Sequence, residues 1–128
     1  MEHIMTNWHA LVIEDEADSA EVVGRILKFH HISYAVASSA EEALELIESE
    51  QPNLLIVDLA LPGMDGWQFL NAVRSNPATQ HLPAVAVTAF HSTSVAQEAI
   101  AAGFDAYFPK PIEATSFVRE LERIVLGE

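Results

Sequence analysis

Glu14-Asp15, Asp58, Thr88 and Lys110 stand far apart in the chain, yet each follows or ends a short apolar run. The runs are Ala10-Leu11-Val12-Ile13, Leu54-Leu55-Ile56-Val57, Ala84-Val85-Ala86-Val87 and Ala106-Tyr107-Phe108. In a parallel α/β sheet the carboxyl ends of the strands share one edge, and ligands bind in the crevice there. Brought together, these acids, the hydroxyl and the ammonium suit a divalent cation and a phosphoryl group. Two carboxylates about 4 Å apart cost roughly 4 kcal/mol at an effective dielectric near 20, and a divalent cation removes that penalty. Mg²⁺ takes oxygen ligands in octahedral geometry and keeps several waters. Asp15 and Asp58 are the direct carboxylate ligands in this reading. Glu14 binds directly or through water, and the backbone carbonyl of Ala60 offers a further oxygen. Asp58 is the candidate nucleophile, because a carboxylate can attack phosphorus and form an acyl phosphate. Phosphoryl transfer needs mainly positioning and charge stabilisation. The metal would hold one phosphoryl oxygen, Lys110 a second and the Thr88 hydroxyl a third.

The elements that must position these residues alternate. Strand and helix signals succeed each other five times, which argues a βα repeat and a parallel sheet. The first helix is expected from Ala17 to His30, with Val22, Val23, Ile26 and Leu27 on its inner face. Ser33 to Ala37 reads as a less apolar strand at an edge. Ser39 with Glu42 reads as a capping box, opening a helix with Ala43, Leu44 and Ile47 inside. Pro62-Gly63 and Asp65-Gly66 are turn signals before a helix that buries Phe69, Leu70 and Val73. A fourth helix, Thr93 to Ala102, buries Val95, Ala99 and Ile100, ends at Gly103 and should be the least firmly docked. The last helix runs from about Glu113 to Leu126, with Phe117, Leu121, Ile124 and Val125 inward. Right-handed crossovers leave few topologies. The flavodoxin-like doubly wound (βα)5 fold with strand order 2-1-3-4-5 is the expectation, Glu14-Asp15 and Asp58 flanking its switch point. Lys110-Pro111 admits a cis or a trans bond. Residues 1–8 read as a tail and 9–128 as one domain.

Composition limits the function classes. The chain has 128 residues and no Cys, so disulfides, thiolate metal sites and thiol nucleophiles are excluded. Six Lys and Arg against nineteen Asp and Glu give a formal charge of −13. Binding to nucleic acid or anionic membrane rests on basic groups, so neither is an expected partner. No apolar run approaches the roughly 18 residues of a membrane span, and no signal-peptide pattern opens the chain. A cytoplasmic location is the expectation. The six His residues show no H-E-x-x-H spacing and read as structural or surface groups; His91 alone falls near the site in sequence.

Four segments together resemble the receiver domain of two-component response regulators over about residues 9 to 126. They are Leu11-Val12-Ile13-Glu14-Asp15-Glu16, Val57-Asp58-Leu59-Ala60-Leu61-Pro62-Gly63-Met64-Asp65-Gly66, Val87-Thr88-Ala89, and Gly103-Phe104-Asp105-Ala106-Tyr107-Phe108-Pro109-Lys110-Pro111. The resemblance implies that Asp58 accepts a phosphoryl group from a phosphohistidine on a sensor histidine kinase or histidine phosphotransfer protein, with Mg²⁺ as cofactor. It implies a switch in which Thr88 turns toward the phosphoryl group and Tyr107 moves inward, altering the face of the fourth helix, fifth strand and fifth helix. Such a receiver catalyses only its own phosphorylation and dephosphorylation and acts through a protein partner. Glu14 replaces the more usual Asp, and Leu61 sits where Met is frequent. Ala60 and the bulky Phe90 imply slow-to-moderate autodephosphorylation.

Two rival readings come from other classes. A pseudo-receiver would bind partners without phosphorylation, against which Asp58, Thr88 and Lys110 are all present. A Mg²⁺ phosphohydrolase of the D-x-D type would need an acid–base Asp where Ala60 stands. A Gly-rich nucleotide loop is lacking. Homodimerisation through the fourth and fifth elements stays open, as do the cognate kinase and the output.

Overall fold

Five β-strands and five α-helices alternate in a computed structural model that describes residues 8–90 and 92–126. The strands are β1 (His9–Ile13), β2 (Ser33–Ala37), β3 (Leu54–Asp58), β4 (Ala84–Thr88) and β5 (Ala106–Pro109). The helices are α1 (Ala17–Phe29), α2 (Ala40–Glu50), α3 (Gly66–Ser75), α4 (Thr93–Ala102) and α5 (Ala114–Leu126). All strand pairings are parallel, in the order β2-β1-β3-β4-β5. This is the doubly wound flavodoxin-like order, with its reversal between β1 and β3.

The unbroken apolar runs follow from burial on both faces of the sheet. Side chains alternate along a strand. Leu11, Ile13, Leu55 and Val57 face one way, against Phe69, Leu70 and Val73 of α3 and the inner side of α2. Ala10, Val12, Leu54 and Ile56 face the other, against Val23 and Leu27 of α1 and Phe117 and Leu121 of α5. β2 and β5 are the edge strands, and Ser33 and Val36 of β2 are exposed.

Several boundaries and faces differ from expectation. Val22 is 49% exposed and Ile100 53% exposed, so neither lies on the inner face predicted for it. Each sits one residue from a buried neighbour (Val23, Ala99), and one residue turns the side chain by about 100° around a helix. Ala99 is the one fully buried residue of α4, in keeping with a lightly docked helix. At the start of α2, Ser39 Oγ accepts from the N–H of Glu42 at 3.0 Å, but the Glu42 carboxylate takes the N–H of Ser38 at 2.7 Å. Only half of the capping box forms there. A complete one starts α3, where Asp65 and Gln68 bond each other's backbone N–H groups. Trp8 packs against the α1/α5 side of the core rather than belonging to a loose tail. Residues 1–7, His91 and residues 127–128 lie outside the described residues.

Two side chains tie elements together. The His9 ring meets Ser33 Oγ at 2.8 Å and Glu50 Oε1 at 2.7 Å, joining β1, β2 and α2. Arg74, in the last turn of α3, donates to the carbonyls of Leu82 (2.6 Å), Gly103 (2.9 Å) and Gln80 (3.0 Å). It also meets Asp105 Oδ2 at 3.4 Å, while that same oxygen accepts from Ala84 N at 2.9 Å. α3, the connector before β4, the end of α4 and the start of β5 are thus fastened at one point.

Candidate functional site

The predicted site residues gather at the carboxyl edge of the sheet. Backbone bonds beyond the strands fix the loop starts: Glu14 N donates to Ala37 O, Leu59 N to Val87 O, and Lys110 N to Thr88 O at 2.8 Å. Lys110 follows the end of β5 and precedes a cis bond to Pro111. Its Nζ reaches Glu14 Oε1 at 2.7 Å and Asp58 Oδ2 at 3.4 Å. The remaining carboxylate oxygens meet backbone donors. Glu14 Oε2 accepts from Glu16 N at 3.1 Å, and Asp58 Oδ1 from Ala60 N at 3.1 Å. Glu14 and Asp58 are buried, each 5% exposed, whereas Asp15 is exposed.

Carboxylate oxygens of Glu14, Asp15 and Asp58 all lie within 4.8 Å of one another. One ammonium does not balance three such acids. Burial, with Asp58 as a neighbour, pushes Glu14 up to about 7 although the Lys110 hydrogen bond opposes the shift. Burial disfavours the Lys110 ammonium, yet the hydrogen bond to Glu14 and the charges of Asp58 and Glu14 outweigh it and raise its pKa. An all-oxygen donor set with surplus negative charge, open to solvent through Asp15, fits a hard divalent cation.

Thr88 ends β4 and is 1% exposed; its Oγ1 accepts from the N–H of Phe90 at 3.1 Å. Tyr107 is half-buried on β5, and its hydroxyl donates to the carbonyl of Phe90 at 3.2 Å. Phe90 therefore bonds Thr88 through its N–H and Tyr107 through its C=O. Asp15, Ala60 and Thr88 line one cleft of about 690 Å³ together with Trp67, Phe90 and Val95.

Gly66 is a positioning residue that the sequence disclosed as a turn signal and as the end of the segment that follows Asp58. Its N–H donates to Leu59 O at 3.2 Å, closing the loop after Asp58. A Cβ there would lie 2.6 Å from Asp58 O and 2.8 Å from Leu59 Cα. Only glycine lets α3 begin this close to the end of β3. The role of the Phe90 backbone had no signal in the sequence, because it depends on where β4 and β5 lie.

Residues 10–122 match the family model for the response regulator receiver domain. A relative from Leptolyngbya boryana, described as an uncharacterized 14.6 kDa protein, is 35% identical over 91% of this chain and 89% of its own length. Response regulator MprA of Mycolicibacterium vanbaalenii is 30% identical over 90% of this chain, which spans 49% of MprA. Response regulator FleR of Pseudomonas aeruginosa is 33% identical, and the chain spans 24% of it. Among solved structures, a CheY-like response regulator receiver domain protein from Methanospirillum hungatei JF-1 superposes with a TM-score of 0.84 at 25% identity, over 94% of each chain. On sequence and on fold alike, the chain belongs to the response regulator receiver domain family.

Proposed function

We propose that this chain is a phosphorylation-switched signalling receiver. Asp58 takes a phosphoryl group from a phosphohistidine on a sensor histidine kinase or a histidine phosphotransfer protein. The reaction depends on Mg²⁺, and the α4–β5–α5 face then changes to control a partner protein. The observation that carries this reading is the seating of Lys110 Nζ between the buried carboxylates of Glu14 and Asp58.

In the transfer, an Asp58 carboxylate oxygen attacks phosphorus. The bond from phosphorus to the donor's histidine nitrogen breaks, and the imidazole leaves with a proton from solvent. Lys110 shifts its hydrogen bonding from Asp58 to a phosphoryl oxygen, and the Thr88 hydroxyl proton serves another. Glu14, Asp15 and Asp58 would hold Mg²⁺, with the Ala60 carbonyl as the further oxygen. When bound, the ion supplies positive charge against these carboxylates and the transferring oxygens. Once Thr88 turns toward the phosphoryl group, its bond to the Phe90 N–H is lost. The Phe90 carbonyl that Tyr107 holds then shifts with it. The phosphoryl group biases a two-state element rather than building a new fold. An apolar hollow of about 340 Å³ beside Lys110, lined by Val22, Pro111 and Ile112, gives the donor protein a surface on the α1 side. Ala60 in place of a D-x-D acid favours self-limited phosphorylation over turnover of an external substrate.

The test is intact-protein mass after incubation with acetyl phosphate and Mg²⁺, beside Asp58→Ala. A gain of one phosphoryl group in the parent only, abolished by chelator, is expected. No gain in folded protein under several donors would replace this reading with the pseudo-receiver.

A further inference from the structure

The cleft beside Asp58 extends well past the residues that phosphoryl transfer uses. Its volume, about 690 Å³, lies inside the roughly 300–1,000 Å³ of clefts that hold a ligand. Leu59 and Leu61 form a buried floor, and Trp67 and Val95 contribute half-buried walls from α3 and α4. The Trp67 ring is braced edge-on by Phe104, with centroids 6.1 Å apart, so that wall is preformed. Phe90 stands at the rim with 69% of its surface exposed. Every charged lining residue is acidic: Asp15, Asp65 and Glu98.

We propose that this cleft is a docking site for a partner-protein segment that presents one large apolar side chain flanked by Lys or Arg. The apolar floor and walls call for the side chain, and the carboxylates of Asp65 and Glu98, which the metal reading does not use, call for the basic neighbours. Charge argues against a second copy of this chain as occupant. With nineteen acidic and six basic residues, a second copy would bring mostly like charge. Nucleic acid is disfavoured for the same reason. α4 supplies Val95 and Glu98 and is anchored by a single fully buried residue, so this wall moves with the helix. Here the inference rests on the receiver reading: the α4 position that phosphorylation selects sets the width of the cleft. Docking itself does not require it.

The experiment uses the Trp8→Phe chain, in which Trp67 is the sole tryptophan and reports on the cleft. The probe is an amphipathic Leu/Lys peptide of about 20 residues, above the length at which isolated helices are marginal. A Ser/Lys peptide of equal charge is the comparison. A saturable change in Trp67 fluorescence is expected with the Leu/Lys peptide only. Phe90→Ala and Glu98→Lys should each weaken binding about fivefold or more, while Glu45→Lys, exposed on α2, stays within about twofold. No binding, equal binding of the Ser/Lys peptide, or an equal loss from Glu45→Lys would overturn the proposal, the last two by revealing charge-only adhesion. The same proteins are labelled with acetyl phosphate. Protein that is labelled but ignores the peptide sinks docking alone. Protein that binds the peptide but never labels upholds docking and sinks the receiver reading.

Discussion

Gly66→Ala tests whether the close approach of α3 to the end of β3 positions Asp58. The new Cβ would meet Asp58 O at 2.6 Å, Leu59 Cα at 2.8 Å and Val57 Cγ1 at 3.1 Å. Two of these obstacles are backbone. Ordinary contact begins at 3.4 Å, so the helix start or the strand end must retreat by roughly 0.8 Å. Overpacking of this kind costs about 1–3 kcal/mol, and the better helix propensity of Ala returns at most about 1 kcal/mol. A net loss of about 1–2 kcal/mol lowers the melting temperature by roughly 3–8 °C for a chain of this size. The share of the displacement that the strand end takes up falls on Asp58 itself, and a misplacement near 1 Å can cost about a hundredfold in rate. Acetyl phosphate labelling, followed by intact mass, should therefore slow by about ten- to a hundredfold. Gly24→Ala is the control. Its Cβ would meet the Tyr34 hydroxyl at 2.6 Å and the ring atoms Cζ and Cε2 at 2.8 and 3.0 Å, all at the end of one side chain and none of them backbone. Gly24→Ala should stay within about 1 kcal/mol of the parent and label normally. If Gly66→Ala matched the parent in urea midpoint and labelling rate, the close approach would not be what fixes Asp58.

Other outcomes follow from the same geometry. Arg74→Met strips donors from the carbonyls of Leu82, Gly103 and Gln80 at once; a loss of about 2–3 kcal/mol in urea unfolding is expected, and Arg74→Lys should recover less than half of it. Glu14 has a folded pKa of about 7 against 4.5 for the free side chain, so the folded state holds the extra proton. Its contribution is fully present below 4.5 and lost as pH rises through about 7. Metal-free protein should show that decline in unfolding experiments, and Glu14→Gln should flatten it; a parent stability that rises across this window would contradict the assignment. In the Trp8→Phe background, Lys110→Met should leave Mg²⁺ binding, read by Trp67 fluorescence, in place, and slow labelling about a hundredfold or more.

Much of this protein was legible from residue order alone. Apolar runs at Ala10–Ile13, Leu54–Val57 and Ala84–Val87 announced strands buried on both faces, and their spacing with helical patterns left the strand order nearly determined. Because the carboxyl ends of parallel strands share an edge, Glu14, Asp15, Asp58, Thr88 and Lys110 could be placed together before any coordinates. Periodicity was a weaker guide to helix faces. Val22 and Ile100 are as apolar as their buried neighbours, and only the angle at which α1 and α4 lie on the sheet turned them outward. Tertiary structure alone decided three further matters. It set Lys110 closer to Glu14 than to Asp58. It made the Phe90 backbone a shared partner of Thr88 and Tyr107, residues on different strands. It made Gly66 a spacing requirement as well as a turn. The first two depend on distances between segments remote in sequence, and the third on how closely α3 packs against the end of β3. Local propensity carries no record of such distances.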